Sequence, residues 1–201
     1  MSAVRKFFID GPAGRLETTV SDSDGPCRGI ALIAHPHSLH GGTMDNKVAV
    51  TLAKTFSRLG LTALRLNFRG VGQSAGEFDR GIGETDDMLA LAAHARRELG
   101  ELPITLAGFS FGAYVQTRVQ AQLEARQLIL VAPAVKLFEV GAVPADTVVI
   151  HGEQDEVVPL ADVFDWARPQ NLPLTVVPGC GHFFHGQLPL LSHIVANSCR
   201  C

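Results

Sequence analysis

The sequence lacks the features that would direct it to a membrane, to a nucleic acid or out of the cell. No stretch reaches the roughly 18 uninterrupted apolar residues that a spanning helix needs. Near the N-terminus the basic pair Arg5 and Lys6 is followed only by Phe7, Phe8 and Ile9, too short an apolar run for the core of an export signal. With 18% charged residues and a net charge of −3, the chain has no basic field to attract phosphate backbones or anionic lipid. Cysteine is scarce. Cys27, Cys180, Cys199 and Cys201 are few, unevenly spaced and without a C-x-x-C pair, which excludes a disulfide framework and leaves reduced thiols. The terminal C-R-C reads as a solvated tail rather than a redox or metal pair. These absences predict a cytoplasmic protein with a small-molecule partner, no nucleic acid and no membrane.

Repeats, linkers and low-complexity tracts are absent too, and 201 residues suffice for one core but are short for two domains. A single domain over 1–201 is therefore expected. What the chain does hold is an alternation of two textures. "RKFFID" and "GRLETTV" read as a strand pair broken at the "GPAG" turn, and "GIALIAH" is a continuous apolar run of the kind buried on both faces. "DNKVAVTLAKTFSRLG" then has Val48, Leu52, Phe56 and Leu59 at helical spacing, with an Asp at its start and a Gly at its end. The pattern repeats: strands at "LTALRLNF", "LPITLAGF", "QLILVAP", "DTVVIHG" and "LPLTVVPG" are separated by helices, the last beginning near Leu188. Such alternation implies an α/β fold, a mostly parallel sheet with helices on both faces.

Two stretches contain G-x-S-x-G, the signature of a nucleophile elbow: "GVGQSAGEF" around Ser74 and "AGFSFGAY" around Ser110. With 20 glycines the motif arises by chance in roughly one such chain in ten, so the flanks must decide. An elbow needs a strand running into a tight turn and out into a helix, which raises the hydroxyl over the sheet and turns helix N–H groups toward the reacting carbonyl. Ser110 has "PITLAGF" before it and "AYVQTRVQAQ" after it. Ser74 lies several residues past its strand and is followed by a glycine-punctuated loop, which suits a loop serine bonded to nearby backbone.

A serine hydroxyl needs a base and a group that orients the base. In this order of elements they follow as Ser, acid, His. Downstream of Ser110, "VVIHGEQDEVVP" and "PGCGHFFHG" each begin at the carboxyl end of a predicted strand, giving Asp155 and His182 as candidates. Glu153, Glu156, Asp162 and Asp165 are rival acids, the last two inside a predicted helix. His185 is a rival base, and His151 reads as a strand-end histidine bonded to backbone.

Together, "AGFSFG", "HGEQDEVVP", "GCGHFFHG", "NFRGVGQSAGEF" and "HPHSLHGGTMDNK" resemble the small bacterial α/β-hydrolases related to dienelactone hydrolases and carboxylesterases, over nearly the whole chain. The resemblance implies an α/β-hydrolase fold of about eight strands and a triad of Ser110, Asp155 and His182. It makes "NFRGVGQS" a loop beside the active site rather than a second elbow. It also implies an oxyanion hole built from the N–H of Phe111 and an N–H of the "HPHSL" loop. Register favours His37 there, with Ser38 and Leu39 as alternatives; Pro36 has no N–H to offer. No cofactor is implied. His35, His37 and His40 could ligate zinc, but no carboxylate or cysteine is placed to complete the set and the spacing is not a recognised one, so no metal is expected.

The reaction expected is two-step hydrolysis of a small-molecule ester. The connector after "VAPAV" runs only through residues 136–145, where many lipases of this fold carry a helical cap, so an open site without a cap domain is expected. Leu39, Phe111, Phe183 and Phe184 are candidates for a small apolar pocket. Thioesterase and peptidase chemistry on the same triad remain open on the sequence. A catalytically silent binding protein is the rival of a different class, and an intact triad argues against it.

Overall fold

The computed structural model describes residues 4–200. Cys201 of the C-R-C tail and the first three residues of the stretch read for an export signal lie outside the described residues. Eight strands form one sheet: β1 (Val4–Gly11), β2 (Gly14–Ser21), β3 (Gly29–Ala34), β4 (Leu61–Leu66), β5 (Ile104–Phe109), β6 (Gln127–Val131), β7 (Val148–Gly152) and β8 (Leu174–Val177). Their order is β1-β2-β4-β3-β5-β6-β7-β8; β1 with β2 and β2 with β4 pair antiparallel and the other neighbours parallel. The helices are α1 (Lys47–Arg58), α2 (Ile82–Leu99), α3 (Phe111–Gln120), α4 (Leu160–Ala167) and α5 (Leu188–Ser198). None is long and apolar enough to cross a membrane.

The apolar runs follow from helices covering both faces. Along β3, Ile30, Leu32 and Ala34 join the core packed by α2, α3 and α4, while Ala31 and Ile33 join the core packed by α1 and α5. The same period of two divides Leu106 from Ala107 in β5 and Leu130 from Val131 in β6. A half-covered sheet would have shown polar residues at every second position; here both sets are apolar and buried.

Two boundaries differ from the sequence reading. The side chain of Asn46, not the neighbouring Asp45, caps α1 by accepting the N–H of Val48 at 2.9 Å. The stretch "GAYVQTRVQAQLEA" reads as a helix to Ala125, but α3 stops at Gln120 and the turn that follows brings Leu123 into the core.

The chain leaves β3 to one side for β4 and returns to its other side for β5. The carboxyl ends of β3 and β5 are thus the switch point where an open parallel sheet forms a crevice. His35 fastens the rim of that crevice. Its Nε2 accepts the N–H of Phe68 at 3.1 Å, so the proton sits on Nδ1, which donates to the carbonyl of Pro36 at 2.7 Å. With both ring nitrogens engaged, His35 has no lone pair for a metal. The loop after β4 is cross-linked as tightly. Asp87 of α2, wholly buried, accepts the Arg69 guanidinium at 2.8 Å and the Arg69 N–H at 3.0 Å, and Asn67 bonds Glu17 and the Met44 N–H.

Burial lowers the His35 pKa to about 4, the backbone bond to Pro36 opposing the shift. The folded value lies below the unfolded value of about 6.5, so the stability it carries is complete above that pH and is lost as pH falls toward 4. That loss amounts to about 3 kcal/mol. His35→Asn keeps a donor and an acceptor but does not titrate. Urea unfolding between pH 7 and 4 should show a lower plateau for this variant and a slope shallower by about one proton; an unchanged slope would remove His35 from the acid response.

Candidate active site

Ser110 stands between β5 and α3 with φ 56° and ψ −117°, a left-handed conformation that non-glycine residues seldom adopt. The turn is too tight for side chains on either flank. A Cβ on Gly108 would lie 2.3 Å from the carbonyl oxygen of Gly112, and one on Gly112 would lie 2.3 Å from that of Ala34. Both glycines of "GFSFG" are therefore required by contact, and the turn presses the start of α3 against the end of β3.

The sequence candidates meet above this turn. Ser110 Oγ lies 3.0 Å from His182 Nε2, and His182 Nδ1 lies 2.7 Å from Asp155 Oδ2. All three residues are buried. His182 comes from the turn after β8 and Asp155 from the loop after β7, where Asp155 Oδ1 accepts the N–H groups of Val157 at 2.9 Å and Val158 at 2.7 Å. Burial pushes the Asp155 pKa up, but the hydrogen bonds from His182 and Val158 and the fields of His182 and His151 outweigh it, and the net shift is downward. An ionised Asp155 has no proton to give, so Nδ1 of His182 carries one and Nε2 turns its lone pair to the Ser110 hydroxyl.

The rival residues are engaged elsewhere. Glu153 accepts the N–H of Gly179, Glu156 that of His182 at 3.4 Å, Asp162 pairs with Lys136, and Asp165 with Arg168. His185 is exposed, its ring 5.8 Å from that of Phe183. His151 bonds the carbonyl of Val158 through Nε2 at 2.9 Å, and burial holds its pKa below the ordinary range. Ser74 is a structural serine: its hydroxyl donates to the carbonyl of Asn67 at 2.6 Å and accepts the N–H of Glu17 at 2.9 Å.

A cavity of about 610 Å³ opens over Ser110. Ser110, Phe111 and His182 form its base, His37, His40 and Asn46 one flank, and Leu137, Phe138, Val157 and Phe183 apolar walls. Phe111 opens α3, so its N–H has no carbonyl within the helix to bond. His37 lines the cavity beside it, with ring centroids 5.0 Å apart. The Leu39 N–H is bonded to His37 Nδ1 at 3.2 Å, which removes it as an oxyanion donor.

Two expected pocket residues do not line this cavity. Residues Ser38–His40 form a 3-10 turn that leaves Leu39 68% exposed. Phe184 adopts φ 52°, which turns its ring down into the core beside α5. Phe183 does line the cavity. The lining side chains that sequence reasoning missed include Leu137, Phe138, Val157, His40 and Asn46, of which Leu137 and Phe138 stand as an apolar pair inside a segment read as a plain connector.

A family model described as serine aminopeptidase, S33, matches residues 34–145, a span that includes Ser110 but ends before Asp155 and His182. The chain is 32% identical over 194 residues to Uncharacterized protein RP471 of Rickettsia prowazekii (strain Madrid E), covering 89% of this chain and 82% of that one. Among solved structures it is similar to XC6422 from Xanthomonas campestris, described as an α/β serine hydrolase without lid. The TM-score is 0.92, with 38% identity over 98% of this chain and 94% of that one. It is also similar to an α/β serine hydrolase homologue from Coxiella burnetii, with a TM-score of 0.88 and 39% identity over 98% and 97% of the two chains. The sheet order, the elbow at Ser110, the absence of a cap among the described residues and a family match over more than half the sequence converge: the chain belongs to the serine aminopeptidase S33 family and is a lid-less α/β serine hydrolase.

Proposed function

We propose that the protein is a carboxylesterase that cleaves esters of small or short acyl groups through Ser110, His182 and Asp155. The observation that carries this reading is the unbroken line of hydrogen bonds from Ser110 Oγ through both nitrogens of His182 to Asp155, at 3.0 and 2.7 Å, at the base of a largely apolar cavity.

In the first step His182 Nε2 takes the Ser110 proton while Oγ adds to the ester carbonyl. The oxyanion faces the N–H groups of Phe111 and His37, the former at the positive end of α3. The imidazolium then gives its proton to the alcohol oxygen as the C–O bond breaks, leaving an acyl group on Ser110. Water adds by the same route in reverse roles and releases the acid. Asp155 stays ionised throughout, holding the imidazole in one tautomer and stabilising its cation. Each step is addition, elimination or proton transfer among these groups, and none calls for a metal or cofactor.

The family description names an aminopeptidase, and the cavity argues against that substrate. An aminopeptidase must hold a free α-ammonium, which needs an anion or a ring of acceptors close to the nucleophile. None of the residues lining the cavity carries a carboxylate. An uncharged ester fits these walls without a buried unpaired charge.

Ser110→Ala should lower ester turnover by about 10⁴-fold or more. Ser74→Ala should keep kcat/KM within about tenfold while lowering the Tm, because it leaves the Glu17 N–H without its acceptor, a loss of about 1–3 kcal/mol. Comparable losses of turnover at the two serines would defeat the assignment. Against a substrate panel, p-nitrophenyl acetate and butyrate should outrun both the laurate and palmitate esters and any aminoacyl p-nitroanilide. A long-chain optimum with activation by micelles, or a preference for the anilides, would overturn the short-ester reading.

A further inference from the structure

Two cavities flank the connector between β6 and β7. The one over Ser110 takes Leu137 and Phe138 from it. A second, of about 400 Å³, takes Glu139, Gly141 and Ala142 from it, and Tyr114 and Arg118 from α3. Between the two lies a pair of stacked rings. Phe138 covers Tyr114 with centroids 4.9 Å apart and planes 15° apart. On the near side Phe138 meets Phe111 at 5.0 Å and His37 at 5.7 Å. The partition is made of side chains, one ring facing each space.

Chemistry fixes how an ester must lie in the near cavity, given the esterase reading on which this inference rests. The departing alcohol oxygen has to receive a proton from His182 Nε2, so the alcohol lies on the side of Phe183, whose ring meets that of His182 at 5.0 Å. The carbonyl oxygen faces the N–H groups of Phe111 and His37. The acyl chain is left with the wall that Phe138 closes against those same two residues. We propose that Phe138 is the specificity-determining end wall of the acyl pocket, and that the space its ring fills, up to the face of Tyr114, is where a longer acyl chain would run if the Phe138 side chain were smaller.

The connector is built to hold such a wall in place. It is tied to α4 and the turn after it by Lys136 on Asp162 at 2.6 Å, by Trp166 Nε1 on the carbonyls of Val140 and Gly141 at 3.2 Å, and by the Val143 N–H on Gln170 Oε1 at 2.9 Å. The Phe138 N–H bonds the carbonyl of Ala134 at 3.1 Å. None of these bonds uses the Phe138 ring, so shrinking it opens space while the backbone stays anchored.

The test is a size series, Phe138→Leu, Phe138→Val and Phe138→Ala, with kcat/KM measured for p-nitrophenyl acetate, butyrate, hexanoate and octanoate. The octanoate-to-butyrate ratio should climb as the side chain shrinks and reach about tenfold or more above the unmodified protein in Phe138→Ala, since each CH₂ given a buried place is worth about fourfold. Phe183→Ala, on the alcohol side, should instead shift the preference between aryl and alkyl alcohols and move the acyl ratio by no more than about twofold. Should Phe138→Ala fail to fold, the Leu and Val steps read the same trend. A ratio indifferent to the side chain at 138, in variants that still cleave acetate, overturns the partition and leaves the esterase reading standing. No ester turnover by the unmodified protein overturns the esterase reading, and this inference with it.

Discussion

The structure depends on one strained residue. Ser110 is held in a backbone conformation that costs on the order of 1–3 kcal/mol for a residue with a Cβ, and it persists only because its surroundings fix it from several directions. Its N–H bonds the carbonyl of Val131 on β6 at 2.9 Å, and its own carbonyl accepts the N–H groups of Ala113 and Tyr114 as α3 begins. Gly108 and Gly112 let the carbonyls of α3 and β3 come within 2.3 Å of where a Cβ would sit. The close approach also sets the rest of the site. With α3 pressed on the end of β3, the loop that follows β3 has to pass directly beside the Ser110 hydroxyl. That is how His37 comes to lie against Phe111.

A second constraint is electrostatic. A buried carboxylate is costly unless paired, and Asp155 meets donors on both oxygens: Val157 and Val158 on one, His182 on the other. His151 adds a third neighbour, its Nε2 3.4 Å from Asp155 Oδ2, and burial disfavours the charged form of that imidazole. The carboxylate thus has one strong partner, and that partner is the imidazole facing Ser110. Val158 works from both ends of its peptide, donating to Asp155 and accepting from His151, which closes the loop after β7 into a rigid cradle.

How much of this was legible in the sequence depended on how local each feature is. The central strands were legible because burial on both faces writes an apolar run at each, and β1 and β2 because a glycine-rich turn breaks the pair. Ser110 was separable from Ser74 because an elbow is defined by its immediate flanks. Asp155 and His182 followed from strand ends. The walls of the cavity were not legible, since they are set by turns that carry no periodic signal. A 3-10 turn put Leu39 outward, and a left-handed φ at Phe184 put that ring in the core. Leu137 and Phe138 are two apolar residues in an irregular connector; only the position of α4 and the turn after it, which tether that connector, makes them a wall.

The two G-x-S-x-G stretches show what the motif does and does not encode. Around Ser74 the glycines serve a loop, and the hydroxyl is spent on both its capacities: it donates to Asn67 and accepts from Glu17, tying the loop after β4 to β2. Such a hydroxyl has its one proton committed to a carbonyl, with none free for a base to take. Around Ser110 the same spelling leads into a helix, and the backbone satisfies itself. The Ser110 N–H goes to Val131 and its carbonyl to Ala113 and Tyr114, so its side chain is left with His182 as its partner. A serine becomes available for chemistry where the surrounding backbone makes no demand on its hydroxyl. That condition is a property of the strand and helix on either side of the motif.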